Sequence, residues 1–161
     1  MITALPDQPE QTEKFRSAPW AWQATFETPL KDLDSFVAGI LSPFPLDSGA
    51  LSTDLVVFEP DNLLKLMSDA SIHVENQWKF IIRADGPQSI SMLLESAFGD
   101  WVDFLFVPSP ESFAIYADHD EYATFYTRDS ESLLLLVSTL EQAGFVSVPQ
   151  YTRGGAVDRW R

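Results

Sequence analysis

Hydrophobic and polar residues along this chain follow two different periods, and the period switches several times. Trp20, Trp22, Ala24 and Phe26 alternate with Ala21, Gln23 and Thr25, a period of two that predicts a strand. Thr28 and Pro29 then read as N-cap and first residue of a helix, because a Thr oxygen can accept an orphan N–H and Pro lacks one. Leu30, Leu33, Val37, Ile40 and Leu41 form its stripe, and Pro43 and Pro45 stop it. A loop rich in Pro, Ser and Gly follows. Residues 55–58 read as a short buried strand, and 61–68 as a short helix with Leu63, Leu64 and Met67 inward. Residues 78–83 predict another strand. Gly86 and Pro87 open the clearest helix, with Ile90, Leu93, Leu94, Ala97 and Phe98 spaced on one face and Gly99 placed at C′.

The second half continues in short units. Residues 101–107 predict a strand with Val102, Phe104 and Phe106 on its core face and Trp101, Asp103 and Leu105 on the other. After the Pro-Ser-Pro turn at 108–110, residues 112–118 and 121–127 predict a hairpin about a two-residue turn, His119 and Asp120. That register puts Phe113, Ile115, Ala117, Tyr122, Thr124 and Tyr126 on one face, expected to meet the helices. Ala114, Tyr116, Asp118, Glu121, Ala123 and Phe125 fall on the other. Asp129 caps a last helix that ends at Gly144, and residues 145–148 read as a closing strand. Strands alternating with helices, then a meander, predict an α+β fold. It is one domain with a mixed, largely antiparallel sheet and helices packed mainly on one face. The domain is expected over 20–149. Residues 1–19 read as a loose arm with a helical turn near 10–16, and 150–161 as a mobile basic tail.

Composition narrows the function classes. At 161 residues, with 45% hydrophobic and 21% charged, the chain suits one folded domain rather than two or a disordered segment. It has no cysteine, which excludes disulfide scaffolds, zinc ribbons and thiol catalysis. The longest apolar run, 133–137, is far short of a membrane span, and the first residues lack the basic start of a signal peptide. A cytoplasmic location without membrane contact is therefore expected.

Charge changes the picture most. The net charge of −14 comes entirely from two stretches without Lys or Arg. Residues 32–64 carry Asp32, Asp34, Asp47, Asp54, Glu59 and Asp61. Residues 84–127 carry Asp85, Glu95, Asp100, Asp103, Glu111, Asp118, Asp120 and Glu121. Such a field repels nucleic acid and attracts basic proteins.

Candidate chemistry is sparse. Asp118, His119, Asp120 and Glu121 are the densest polar cluster, but a turn explains them, and a metal site would need more ligands than His73 can add. No nucleophile elbow or phosphate-cradling glycine loop is present, and nothing selects one carboxylate pair for glycosidase chemistry. No catalytic residue, cofactor or metal is expected. Trp101 and Tyr116 beside Asp103, Asp118, Asp120 and Glu121 suit a protein interface, with aromatics as anchors and acids receiving Lys or Arg.

The stretch FAIYADHDEYATFY at 113–126, followed by a helix ending EQAGF at 141–145, resembles stretches of small bacterial proteins akin to the immunity proteins of polymorphic toxins. The resemblance covers about a third of the chain and carries no site residue across. It implies an acidic cytosolic inhibitor of one cognate toxin domain, expected to be a basic enzyme such as a nuclease. Two other readings stay open: a nucleic-acid mimic that blocks a DNA-binding defence enzyme, and a small enzymatic or ligand-binding α+β domain.

Overall fold

The computed structural model describes residues 1–6, 15, 20–73 and 80–153. Its strands are β1 (Ile2–Pro6), β2 (Trp22–Glu27), β3 (Ser48–Thr53), β4 (Phe80–Asp85), β5 (Phe104–Ser109), β6 (Phe113–Ala117) and β7 (Tyr122–Thr127). Its helices are α1 (Leu33–Leu41), α2 (Asp61–Asp69), α3 (Pro87–Gly99) and α4 (Ser130–Gln142). The strands form one seven-stranded sheet in the order β1-β4-β3-β5-β6-β7-β2, and every pairing is antiparallel. The expected α+β class holds. Among the described residues no helix is long and apolar enough to cross a membrane.

One sheet face carries the main core. Ala24 and Phe26 of β2, Leu51, Ile82, Phe104, Phe106, Phe113, Ile115 and Phe125 meet the helices there. The α3 stripe lands as its spacing requires, with Ile90, Leu93, Leu94, Ala97 and Phe98 all buried. Phe36 of α1 sits at a hub of edge-to-face contacts with Phe98, Phe125 and Phe145, the last at 4.9 Å between ring centres. Each such side chain contributes about 1.5–3 kcal/mol through removal from water.

β3 was expected to be loop. All its residues but Leu51 are small, so no apolar alternation marks it, yet it lies buried between β4 and β5. Gly49 shows why smallness is required. A Cβ there would lie 2.3 Å from the Phe106 ring, so only glycine lets that ring close over the strand. The strand expected at 55–58 is irregular instead, and Leu55, Val57 and Phe58 are exposed.

Other boundaries shift for identifiable reasons. α1 starts at Leu33 after Asp32, which adopts φ 62, and not at Thr28. The Thr28 N–H is taken by the Glu121 carbonyl at 2.7 Å, which holds the chain against the sheet for another turn. Gly99 is the last helical residue of α3, and Trp101 takes the positive φ of 51 that ends it. Asp129 caps α4 as expected, accepting from Ser132 N at 2.7 Å, and Gly144 has φ 91. Residues 145–148 make only a bridge, Phe26 to Ser147.

The described parts of both expected loose ends join the fold. Ile2–Pro6 pairs with β4 as an edge strand. Phe15 and Trp20 cover part of the second sheet face, against Leu105, Val107, Ala114, Tyr116 and Tyr126. Arg153, expected in a mobile tail, is 6% exposed on that same face. The helical turn expected near 10–16, residues 78–79 of the strand predicted at 78–83 and the tail from 154 lie outside the described residues, apart from Phe15.

Candidate partner-binding site at the acidic end of the sheet

The hairpin tip is built by a three-residue loop, not a two-residue turn. Ala117 pairs with Ala123, and Asp118 N–H donates to the Tyr122 carbonyl at 3.0 Å, leaving His119, Asp120 and Glu121 in the loop. Asp118 Oδ1 accepts from Asp120 N and Tyr122 N, an Asx-type brace. Glu121 closes the loop at φ 80, the left-handed position that such loops place before the second strand. The one extra residue reverses β7. Ala123 and Phe125 enter the helical core, whereas Tyr122, Thr124 and Tyr126 occupy the opposite face. β6 keeps its expected faces.

Of the six expected interface residues, three serve the fold. Asp103 is 5% exposed and accepts from His119 twice, from the main-chain N at 2.8 Å and with Nδ1 at 2.7 Å. It thereby ties the hairpin tip to β5. Its hydrogen bond raises the His119 pKa above the usual 6.5, opposed by burial and aided by the negative charges of Asp103, Asp120 and Asp118. Tyr116 is 2% exposed, with its hydroxyl 3.4 Å from Asp54 Oδ2. It is therefore no surface anchor. Asp118 holds Arg153 at 2.6 Å.

Arg153 is the residue that sequence reasoning missed. Its Nε donates to Thr124 Oγ1 at 2.9 Å and its main-chain N to Gln23 Oε1 at 3.0 Å. Its guanidinium lies 4.7 Å from the Tyr116 ring centre, a cation–π contact, and Tyr151 stacks on Tyr122 at 4.8 Å. Asp118 is expected to receive a partner's Lys or Arg, but the chain's own Arg153 supplies that cation. The available signal was the unmet demand for a cation at Asp118 and Glu121 together with a base beside Tyr151.

Trp101 is half-buried in the turn after α3. Asp120 and Glu121 remain exposed, as an interface requires. They are not isolated. Antiparallel order places the ends of β2, β3 and β6 and the starts of β5 and β7 at one end of the sheet. Asp100 there accepts from Asn62 N and Leu63 N, at 3.0 and 2.7 Å, and fixes the α2 N-terminus at that end. Parts of the two acidic stretches, remote in sequence, thus converge there. Glu27, Asp32, Asp34, Glu59, Asp61, Asp120 and Glu121 are all exposed there, beside the exposed base Lys31. At the opposite end Arg83 pairs with Asp85, and Arg128 with Glu111. Comparison with family models, curated proteins and solved structures found no match.

Proposed function

We propose that this chain is a binding protein of immunity type, which docks its acidic sheet end onto a basic protein enzyme and blocks it. The observation that supports this is the convergence of two separate acidic stretches at one end. Their internal carboxylates are already held by His119, Arg153 and the α2 N-terminus, while the outer ones face solvent. A predominantly acidic surface of this kind steers a basic partner and rejects phosphate backbones. The reading assigns no catalytic step, cofactor or metal to the chain, and places it in the cytoplasm with a cognate toxin as the partner.

Affinity capture from host cells with quantitative mass spectrometry tests this. One variant carries Glu27→Gln, Asp32→Asn, Asp34→Asn, Asp120→Asn and Glu121→Gln. The control carries Asp47→Asn and Glu131→Gln, acids exposed at the other end. A basic protein should be retained by wild type and control, lost from the acidic-end variant and released by salt. Its enzymatic activity should fall stoichiometrically on adding wild type. Equal capture by both variants would reduce the acidic end to a solubility feature. Capture without inhibition would sink the immunity reading.

A further inference from the structure

Beside the hairpin tip lies a groove of about 280 Å³, lined by Glu27, Thr28, Pro29, Leu30, Glu121 and the 144–146 segment. Three chain segments meet there and are laced by main-chain hydrogen bonds. Thr28 N donates to the Glu121 carbonyl at 2.7 Å, and Glu27 N to the Val146 carbonyl at 3.0 Å. The walls are thus set before any ligand arrives, which lowers the ordering cost of binding.

The groove's chemistry is of two kinds. Leu30 is 79% exposed and Val146 54%, large apolar side chains left in water side by side with the groove. Glu27 and Glu121 are exposed carboxylates, and among the described residues no base lines the groove; Lys31, next in the chain, is exposed outside it. Thr28 supplies a separate observation. It is 6% exposed, and its hydroxyl has no hydrogen-bond partner among the described residues. A buried, unmade hydrogen bond typically costs about 1–3 kcal/mol. Thr28 is one of the residues that form the groove wall.

We propose that this groove receives one Arg or Lys side chain of a basic protein partner. The aliphatic stem lies along Leu30 and Val146, and the cation sits between Glu27 and Glu121 with an N–H available to Thr28. Long cationic side chains combine an apolar stem with a charged head, and the groove offers both surfaces in that order. The proposal rests on the basic-partner reading and adds the anchor that gives it specificity.

An NMR titration of the whole chain tests it, with N-acetyl-L-arginine amide and N-acetyl-L-lysine amide as probes and N-acetyl-L-citrulline amide as the uncharged comparator. Saturable shifts should be confined to the amides of Thr28, Leu30, Glu121, Gly144 and Val146, and should be absent with citrulline amide. Glu27→Gln or Glu121→Gln alone should weaken binding roughly tenfold, the loss of one charge-assisted contact, and the two together should weaken it further. Leu30→Ser, at an exposed position, should weaken it with the spectrum otherwise unchanged. Thr28→Val should weaken it too, by removing the hydroxyl acceptor. Shifts spread over the whole acidic end and indifferent to these variants would overturn the groove, yet leave the basic-partner reading standing. No saturable shift, or equal binding of citrulline amide, would also overturn it. Saturable arginine binding alongside failed partner capture would uphold the groove and sink the partner reading.

Discussion

The two ends of the sheet handle charge in opposite ways. At one end Arg128 meets Glu111 and Arg83 meets Asp85, with side chains between 33% and 51% exposed. At the other end Arg153 meets Asp118 with side chains only 3% and 12% exposed, while Asp120 and Glu121 just beyond them stay in water. The first arrangement neutralises surface charge cheaply and loosely. The second spends its cation inside, where it orders the hairpin, and leaves the rim negative. An acidic end therefore reflects the placement of bases as much as the number of acids.

The sharpest way to break this contrast is to delete each arginine. Arg153→Met leaves Asp118 without its cation and removes the Nε donor from Thr124 in a buried setting, and should destabilise by about 3–5 kcal/mol. Asp118→Asn in the same chain should recover part of that, because Asn removes the stranded charge and can still brace the turn. Arg128→Met should cost about 0–1 kcal/mol, as exposed pairs do. Urea midpoints of the three variants check all of this. Equal losses for Arg153→Met and Arg128→Met would show that the 151–153 segment is not held in solution as described.

That comparison also shows what the sequence could convey. The α3 stripe, the Asp129 cap and the β6 faces were legible because each depends on local spacing or a local hydrogen bond. β3 was illegible because its small residues are selected by the Phe106 ring that closes on Gly49, a contact made 57 positions along the chain. β7 was read with reversed faces because a single loop residue sets the register, and period-two alternation alone cannot count that residue. Of the candidate site, the acidic character and the tip residues Asp120 and Glu121 were legible. The internal use of Asp103, Tyr116 and Asp118 was not, since it depends on His119, Asp54 and Arg153 meeting them in space.

A smaller effect sharpens the functional side of the contrast. Glu121 holds φ 80, a region that disfavours any side chain with a Cβ by about 1–2 kcal/mol. Glu121→Gly should relieve that strain and raise stability by about 1 kcal/mol, less the extra freedom Gly brings to the unfolded chain. The same change removes a carboxylate from the groove, so binding of N-acetyl-L-arginine amide should weaken while the urea midpoint rises. Gains in both properties would mean that Glu121 contributes nothing to recognition and only strains the loop.

The smallest expected effect is the dependence of hairpin stability on pH. The Asp103 hydrogen bond raises the folded-state pKa of His119 above 6.5, with the charges of Asp103, Asp120 and Asp118 adding to it and burial opposing. A raised pKa means that the folded state binds the proton more tightly than the unfolded chain does. The stability this contributes is full below the unfolded value near 6.5 and is lost as pH rises through the higher folded value. Raising pH across that window should therefore lower the urea midpoint of wild type. Titrating the imidazole carbon-bound protons by NMR should place the folded midpoint above 6.5. His119→Gln should flatten the slope, since it can no longer gain or lose the proton at Asp103. The effect should be modest because the imidazole is 28% exposed, so solvent screens part of the pairing. At the opposite end, Arg128→Met breaks the pair with Glu111 and touches neither His119 nor Asp103, so it should leave the slope unchanged. A slope that persists in His119→Gln would assign the pH dependence to another group, and would remove the Asp103–His119 tether as the feature that distinguishes the acidic end.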